Sequence, residues 1–208
     1  MRGLMILRHA QSTWNAEGRW QGHADPPLSP LGEHQARVAA RRLSTEDRFD
    51  LVVSSDLIRA TRTAALIASG LGLAAEHAIE PGLREYDVGA WSGFTREEIE
   101  QRWPGELLRF SQGELDAPSG GESRAAFDVR VAEAGRAVAS LAIASGFKRV
   151  LIVSHGGVVR SLTRGAGLPE LRTGHLAGYR GSFEQGGLFP SEAVDLLDGD
   201  DDSSYLSL

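Results

Sequence analysis

The chain has 208 residues, 41% of them hydrophobic and 24% charged, with a formal net charge of −6 and no cysteine. That balance fits a soluble globular protein with one substantial core, and it excludes disulfides, thiol catalysis, thiolate zinc sites and iron–sulfur clusters. The acidic excess comes without a Lys/Arg cluster, which argues against a nucleic-acid partner, since such binding is mostly phosphate neutralisation.

The opening MRGLMILRHA holds too short an apolar stretch for a secretory leader or a membrane span, so a cytoplasmic chain with no membrane partner is expected. Leu4 to Leu7 form a first short apolar run that ends on Arg8 and His9. Ser29 followed by Pro30 predicts a helix start, and Ala36, Ala39, Ala40 and Leu43 then fall on one face. A second run, Leu51 to Val53, leads into a helix expected from about Leu57 to Ser69 and stopped by Gly70 and Gly72. Between Tyr86 and Gly121 the rhythm breaks into a Trp-bearing helical stretch bounded by Gly and Pro, which reads as a lid insertion. A third helix is expected from about Ser123 to Ser145, and a third run, Val150 to Val153, ends at His155. Residues 198–208 read as an acidic, frayed, solubilising tail. With no internal repeat or long linker, residues 1–208 are read as one α/β domain: a three-layer α/β/α sandwich on a mostly parallel, doubly wound sheet.

In open α/β sheets ligands bind beyond the carboxyl ends of the strands. Arg8 and His9 close the first run, His155 closes the third, and Arg59 sits in the first turn of the helix after the second. Arg62, almost one turn further on, is the weaker candidate. Each residue alone is more simply a surface ion pair or a satisfied histidine. Converging, the four would form a cationic pocket suited to a phosphoryl group, because guanidinium groups grip two oxygens and helix N-termini add N–H donors. Spacing does not rank His9 above His155 as the group that reacts.

The stretch LRHAQSTWNAEGRWQGHADPPLSPLGEHQA resembles the signature of the histidine phosphatase superfamily, the branch that includes cofactor-dependent phosphoglycerate mutases. SSDLIRATRTA, LREYDVGAWSGFTREEI, GGES and VSHGGVVRSL are similar to that family's later motifs, in the same order. The resemblance implies a phosphoglycerate mutase-like fold with no metal and no cofactor. It implies that His9 is the nucleophile, forming a phosphohistidine that water hydrolyses, and that Arg8, Arg59 and His155 hold the phosphoryl oxygens. Glu85 matches the proton donor, with Asp87 as the neighbouring alternative; a leaving alkoxide needs that proton. Ser12 and Asn15 match positions that hydrogen-bond the phosphate, Gln21 and Gly22 a substrate-adjacent turn, and Gly156 a close backbone approach to an oxygen. One departure is Ala10, where the family has Gly; a methyl group fits there if φ is ordinary.

A mutase and a phosphatase share this pocket, so the lid must discriminate. Between Tyr86 and Gly121 the basic residues are Arg96, Arg102 and Arg109, against Asp87, Glu97, Glu98, Glu100, Glu106, Glu114 and Asp116. That composition reads as too acidic for a bisphosphate clamp, and EYDVGAWSGFTREE resembles the phosphatase members. A phosphatase acting on a small phosphomonoester is therefore expected, with a mutase as the alternative and a phospho-ligand binding protein that has lost catalysis, suggested by Ala10, as the third reading. Trp91 and Trp103 are candidate walls of the leaving-group side or simple packing anchors. The leaving group is left open, as is a homodimer.

Overall fold

The computed structural model describes residues 2–44, 48–73, 77–169 and 173–198. Six strands form one sheet: β1 (Gly3–Arg8), β2 (Leu51–Ser54), β3 (His77–Ile79), β4 (Arg149–Ser154), β5 (Ala177–Glu184) and β6 (Gly187–Asp195). Their order across the sheet is β3-β2-β4-β1-β5-β6. β1 to β4 run parallel, β5 lies antiparallel to β1, and β6 pairs antiparallel with β5.

Side-chain alternation along β1 sets the layers. Leu4 and Ile6 join a core with Phe127, Val131 and Val138 of helix α6 (Arg124–Ala144) and Val158 and Val159 of α7 (Gly156–Gly165). Met5 and Leu7 face the other way, onto Ala36, Ala39 and Leu43 of α2 (Pro30–Ser44) and Ala60, Ala64 and Ile67 of α3 (Ile58–Gly70). The three expected helices and three expected apolar runs are all present, and helices cover both faces of the sheet. The remaining helices are short: α1 (Thr13–Ala16), α4 (Arg96–Arg102) and α5 (Glu106–Ser111).

Three strands were not expected from the sequence. β3 is three residues long and carries the polar His77. β5 contains Gly178 and Gly181, which weaken a strand signal. Both glycines are required by close approach: a Cβ at Gly178 would lie 1.9 Å from the Ile6 carbonyl oxygen, and one at Gly181 would lie 2.1 Å from that of Phe189. Of the predicted tail, only Asp198 falls within the described residues.

The 86–121 segment is closed at its base. Ala90 N–H donates to the Ser119 carbonyl at 2.8 Å and Glu122 N–H to the Asp87 carbonyl at 3.1 Å, drawn together at Gly89, whose φ is +49°. A Cβ there would meet Ser119 O at 2.3 Å, so glycine is needed for both space and conformation. The segment carries its own apolar cluster of Val88, Trp91, Ile99 and Leu107, with Trp20 packed against it from outside the segment.

Candidate active site

Because β2, β4 and β1 are neighbours, the residues at their carboxyl ends converge. The rings of His9 and His155 stand 5.1 Å apart between centroids. His9 Nδ1 lies 2.6 Å from the Ala10 carbonyl oxygen. A carbonyl only accepts, so Nδ1 carries the proton, and in a neutral imidazole Nε2 then holds the lone pair. Burial, followed by the positive charge of Arg59, holds His9 well below the usual histidine range, so the ring is neutral near pH 7. Burial does the same to His155.

Arg59 is held from below: Nη1 donates to Ala24 O at 2.7 Å and Nη2 to Gly22 O at 2.8 Å. Its Nε is buried without a partner among the described residues. Gly22 has φ +51° and a Cβ there would meet Val88 at 2.8 Å, so the carbonyl that orients Arg59 depends on a glycine. Arg62, by contrast, is turned outward and paired with Glu33 at 2.8 Å. Arg8 donates to Thr173 O at 2.8 Å. Burial pulls both Arg8 and Arg59 down to about 10, which leaves them charged at neutral pH.

Glu85 reaches the start of α7, where Gly157 N–H donates to its carboxylate at 3.1 and 3.2 Å, and it also accepts from Tyr86 N–H at 2.8 Å. Asn15 Oδ1 accepts from Ser12, and Gln21 Oε1 accepts from the Ser12 hydroxyl at 2.8 Å, so both amides turn their NH2 groups away from Ser12. Arg8, His9, Asn15, Gln21, Gly22, Arg59 and Glu85 line one cleft of about 560 Å³. Ser12, His155 and Gly156 are buried behind it and do not line it. Ala10 is fully buried in the α2/α3 core, and the single non-glycine residue with positive φ among the described residues is Leu176, so the methyl group at Ala10 causes no backbone strain.

The chain matches the histidine phosphatase superfamily (branch 1) over residues 4–178. This chain belongs to that superfamily. It is 37% identical over 174 residues to a glucosyl-3-phosphoglycerate phosphatase of Mycolicibacterium vanbaalenii, covering 81% of this chain and 76% of that protein. It is 36% identical over 164 residues to a 2,3-bisphosphoglycerate-dependent phosphoglycerate mutase of a Methylobacterium strain, covering 77% of this chain and 78% of that one. A solved structure of a mycobacterial glucosyl-3-phosphoglycerate phosphatase with VO3 superposes with a TM-score of 0.77 at 32% identity, covering 93% of this chain and 98% of that chain.

In this histidine phosphatase several site-building residues escape a sequence reading. Arg130 donates to the carbonyls of Gly82, Arg84 and Glu85 and pairs with Glu122, which pins the loop carrying Glu85. Ser55 Oγ lies 2.6 Å from His155 Nε2, and His155 Nδ1 has no partner among the described residues. His175, its ring 6.3 Å from that of His9, has a buried and unpartnered Nε2 and is pushed down to about 3 by burial. None of these carries a local signal, because each contact spans distant parts of the chain. Trp91 is fully buried in the apolar cluster of the 86–121 segment, where Trp103 packs too, and Trp20 is the tryptophan that lines the cleft.

The reading of the lid by composition is corrected. Arg8, Arg19, Arg59, Arg96, Arg124, Arg160 and Arg164 line the cleft, and Glu85 is the one carboxylate among them. No acidic residue of the 86–121 segment lines the cleft: Asp87 accepts from Gly89 N–H, Glu98 from Thr95 N–H and from Arg19, and Glu100 from Gly105 N–H. A strongly cationic cleft thus sits in an acidic protein.

Proposed function

We propose that this histidine phosphatase hydrolyses phosphomonoesters of small metabolites through a phosphohistidine on His9. The observation that carries the reading is the Nδ1–H to Ala10 carbonyl bond, which commits the His9 lone pair to Nε2 in a cleft lined with arginines. Nε2 attacks phosphorus and the bond to the leaving oxygen breaks, Glu85 passing a proton to that oxygen. Water then attacks the phosphohistidine, Glu85 takes the water's proton, and phosphate departs with His9 restored. Arg8 and the free Nε of Arg59 meet the negative charge on the phosphoryl oxygens, and His155, its Nδ1 free, supports them from behind the His9 ring. Asn15 and Gln21 add amide donors, and Ser12 and Gly156 act by positioning them and the start of α7.

Hydrolysis is favoured because the cleft stays open at its arginine rim, where the Arg164 side chain is 43% exposed, which leaves water a way in towards His9. With arginines supplying the charge, the chemistry asks for no metal. Residues 1–208 are read as one domain working in the cytoplasm on a small molecule, with the 86–121 segment as its lid; the net charge of −6 supports a partner other than nucleic acid.

During turnover an acid-labile, alkali-stable phosphate should be trapped on the wild type, in excess EDTA as well as without it. His9→Ala should abolish it, and His155→Ala should slow labelling without removing the acceptor. A label that survives in His9→Ala and maps to the peptide containing His155 would exchange the two roles. The arginine-rich cleft and the mutase relative favour a second reading, isomerisation of a phosphorylated acid; phosphate shifted within 3-phosphoglycerate only when 2,3-bisphosphoglycerate is added would select it.

A further inference from the structure

Glu85 sits in a stretch, residues 84–88, that belongs to no helix or strand and lies between short helical turns at Pro81–Leu83 and Gly89–Trp91. Its backbone has no ladder to hold it, so side chains from elsewhere must supply the donors. Asp56 holds the preceding residue, accepting from Arg84 Nε at 2.7 Å. Arg130 reaches the Glu85 carbonyl from α6 at 3.2 Å. A second side chain meets the same oxygen: His23, whose Nε2 lies 2.9 Å away. A carbonyl only accepts, so Nε2 carries the proton, as it does both in one neutral tautomer and in the charged ring. The other nitrogen, Nδ1, stands 3.7 Å from the Asp87 carboxylate, too far for a hydrogen bond.

The chain on either side of His23 gives this contact its consequence. Residues 21–24 form a tight turn, closed by Ala24 N–H on the Gln21 carbonyl at 2.9 Å, with Gly22 at φ +51°. The carbonyls flanking His23, those of Gly22 and Ala24, are the two that hold the outer nitrogens of Arg59. One turn therefore grips the phosphoryl-binding arginine with its backbone and the backbone of Glu85 with the His23 ring. Arg130 ties Glu85 to α6, whereas His23 ties it to Arg59.

We propose that His23 is a positioning residue: through Nε2–H and the Glu85 carbonyl it sets the Glu85 carboxyl against the phosphoryl group held by Arg59, so that the proton meets the leaving oxygen as its bond to phosphorus breaks. His23 does not itself line the cleft, so it acts through Glu85 and not on the substrate. The role rests on the hydrolase reading, in which Glu85 is the acid. Proton transfer needs the acid within hydrogen-bond reach of the leaving oxygen, and a misplacement of about 1 Å can cost about a hundredfold in rate.

The test reads the dependence of rate on the leaving group. Phosphate release is measured for a series of aryl phosphates running from p-nitrophenyl to phenyl phosphate, with the wild type, His23→Phe and His23→Gln. Phenylalanine keeps a ring and has no donor, while the glutamine amide can donate to the Glu85 carbonyl without carrying charge. In His23→Phe, kcat/KM should fall about tenfold more for phenyl phosphate than for p-nitrophenyl phosphate, because the poorer leaving group needs the proton. His23→Gln should bring that discrimination back to within about twofold of wild type. In a Glu85→Gln background His23→Phe should add no discrimination, since the acid that it places is gone. His23→Ala gives the same comparison with His23→Gln should His23→Phe not fold. Equal losses for every leaving group, a discrimination that His23→Gln does not relieve, or one that persists in the Glu85→Gln background each overturn the assignment and leave the hydrolase standing. A wild type that releases phosphate from none of these esters overturns the hydrolase reading itself, and the positioning role with it.

Discussion

Arg59 and Arg62 stand three residues apart on α3, yet their surroundings assign them opposite tasks. Arg59 is 1% exposed, with two carbonyls fixing its outer nitrogens and its Nε left free, while the Arg62 side chain is 47% exposed and ion-paired with Glu33 on the surface. A guanidinium fixed in advance stabilises developing phosphoryl charge without having to reorganise. Arg59→Ala should therefore lower kcat on the order of a hundredfold or more, whereas Arg62→Ala should cost only what a surface ion pair contributes, about 1 kcal/mol or less of stability, with kcat nearly unchanged. Equal losses of kcat in the two variants would show that the free Nε is not what counts. The neutral state of His9 belongs to the same scale: two arginines and two further imidazoles crowd around a buried ring, and each disfavours a proton on it.

At the scale of elements, the start of α7 is what fixes the Glu85 carboxylate. A Cβ at Gly157 would fall 2.1 Å from Glu85 Oε1, so Gly157→Ala should push the carboxylate off the Gly157 N–H that its two oxygens share. Because only poor leaving groups need a proton in the transition state, kcat/KM should fall at least tenfold more for an alkyl phosphate than for p-nitrophenyl phosphate. Uniform loss on both would place Glu85 elsewhere in the cycle. Which features were legible in the sequence follows from how local their signals are. Ser29 and Pro30 announce α2, and short apolar runs ending in Arg8, His9 and His155 announce strand ends, because cap chemistry and strand periodicity are written within a few residues. β5 was hidden because Gly178 and Gly181, forced by contacts with Ile6 and Phe189, remove the side chains that mark a strand. Arg130, Ser55 and His175 reach the site from other elements, so no spacing reveals them. The charge of the lid misled for the same reason: composition counts Glu98 and Glu100, but only tertiary structure shows them capping backbone instead of facing the cleft.

For the whole molecule, gathering three imidazoles in a buried, cationic centre ties stability to pH. His9 and His155 are held well below the usual range and His175 down to about 3, all chiefly by burial. Half-buried His77 is shifted the same way. In the unfolded chain each would titrate near about 6.5. Below that pH the unfolded state binds protons that the fold refuses, so unfolding free energy rises with pH, by up to about 1.4 kcal/mol per pH unit for each histidine. The carboxylates held low by arginines, Asp56 and Glu33 among them, act in the same direction only at more acidic pH, as it falls through the carboxylate range. Between pH 7 and pH 5 the loss should therefore come from the histidines, and Tm should fall steadily across that window. His175→Asn should make the slope shallower by one histidine's share. Vanadate or inorganic phosphate in the cleft should raise Tm at every pH, the unfolding free energy gaining about 2.7 kcal/mol at a hundred times Kd. It should also flatten the slope, because an anion beside His9 and His155 offsets the arginine charge that keeps them neutral. A Tm that stays level from pH 7 to pH 5 without ligand would mean that these rings take up protons in the folded state, and burial would not be what keeps His9 neutral.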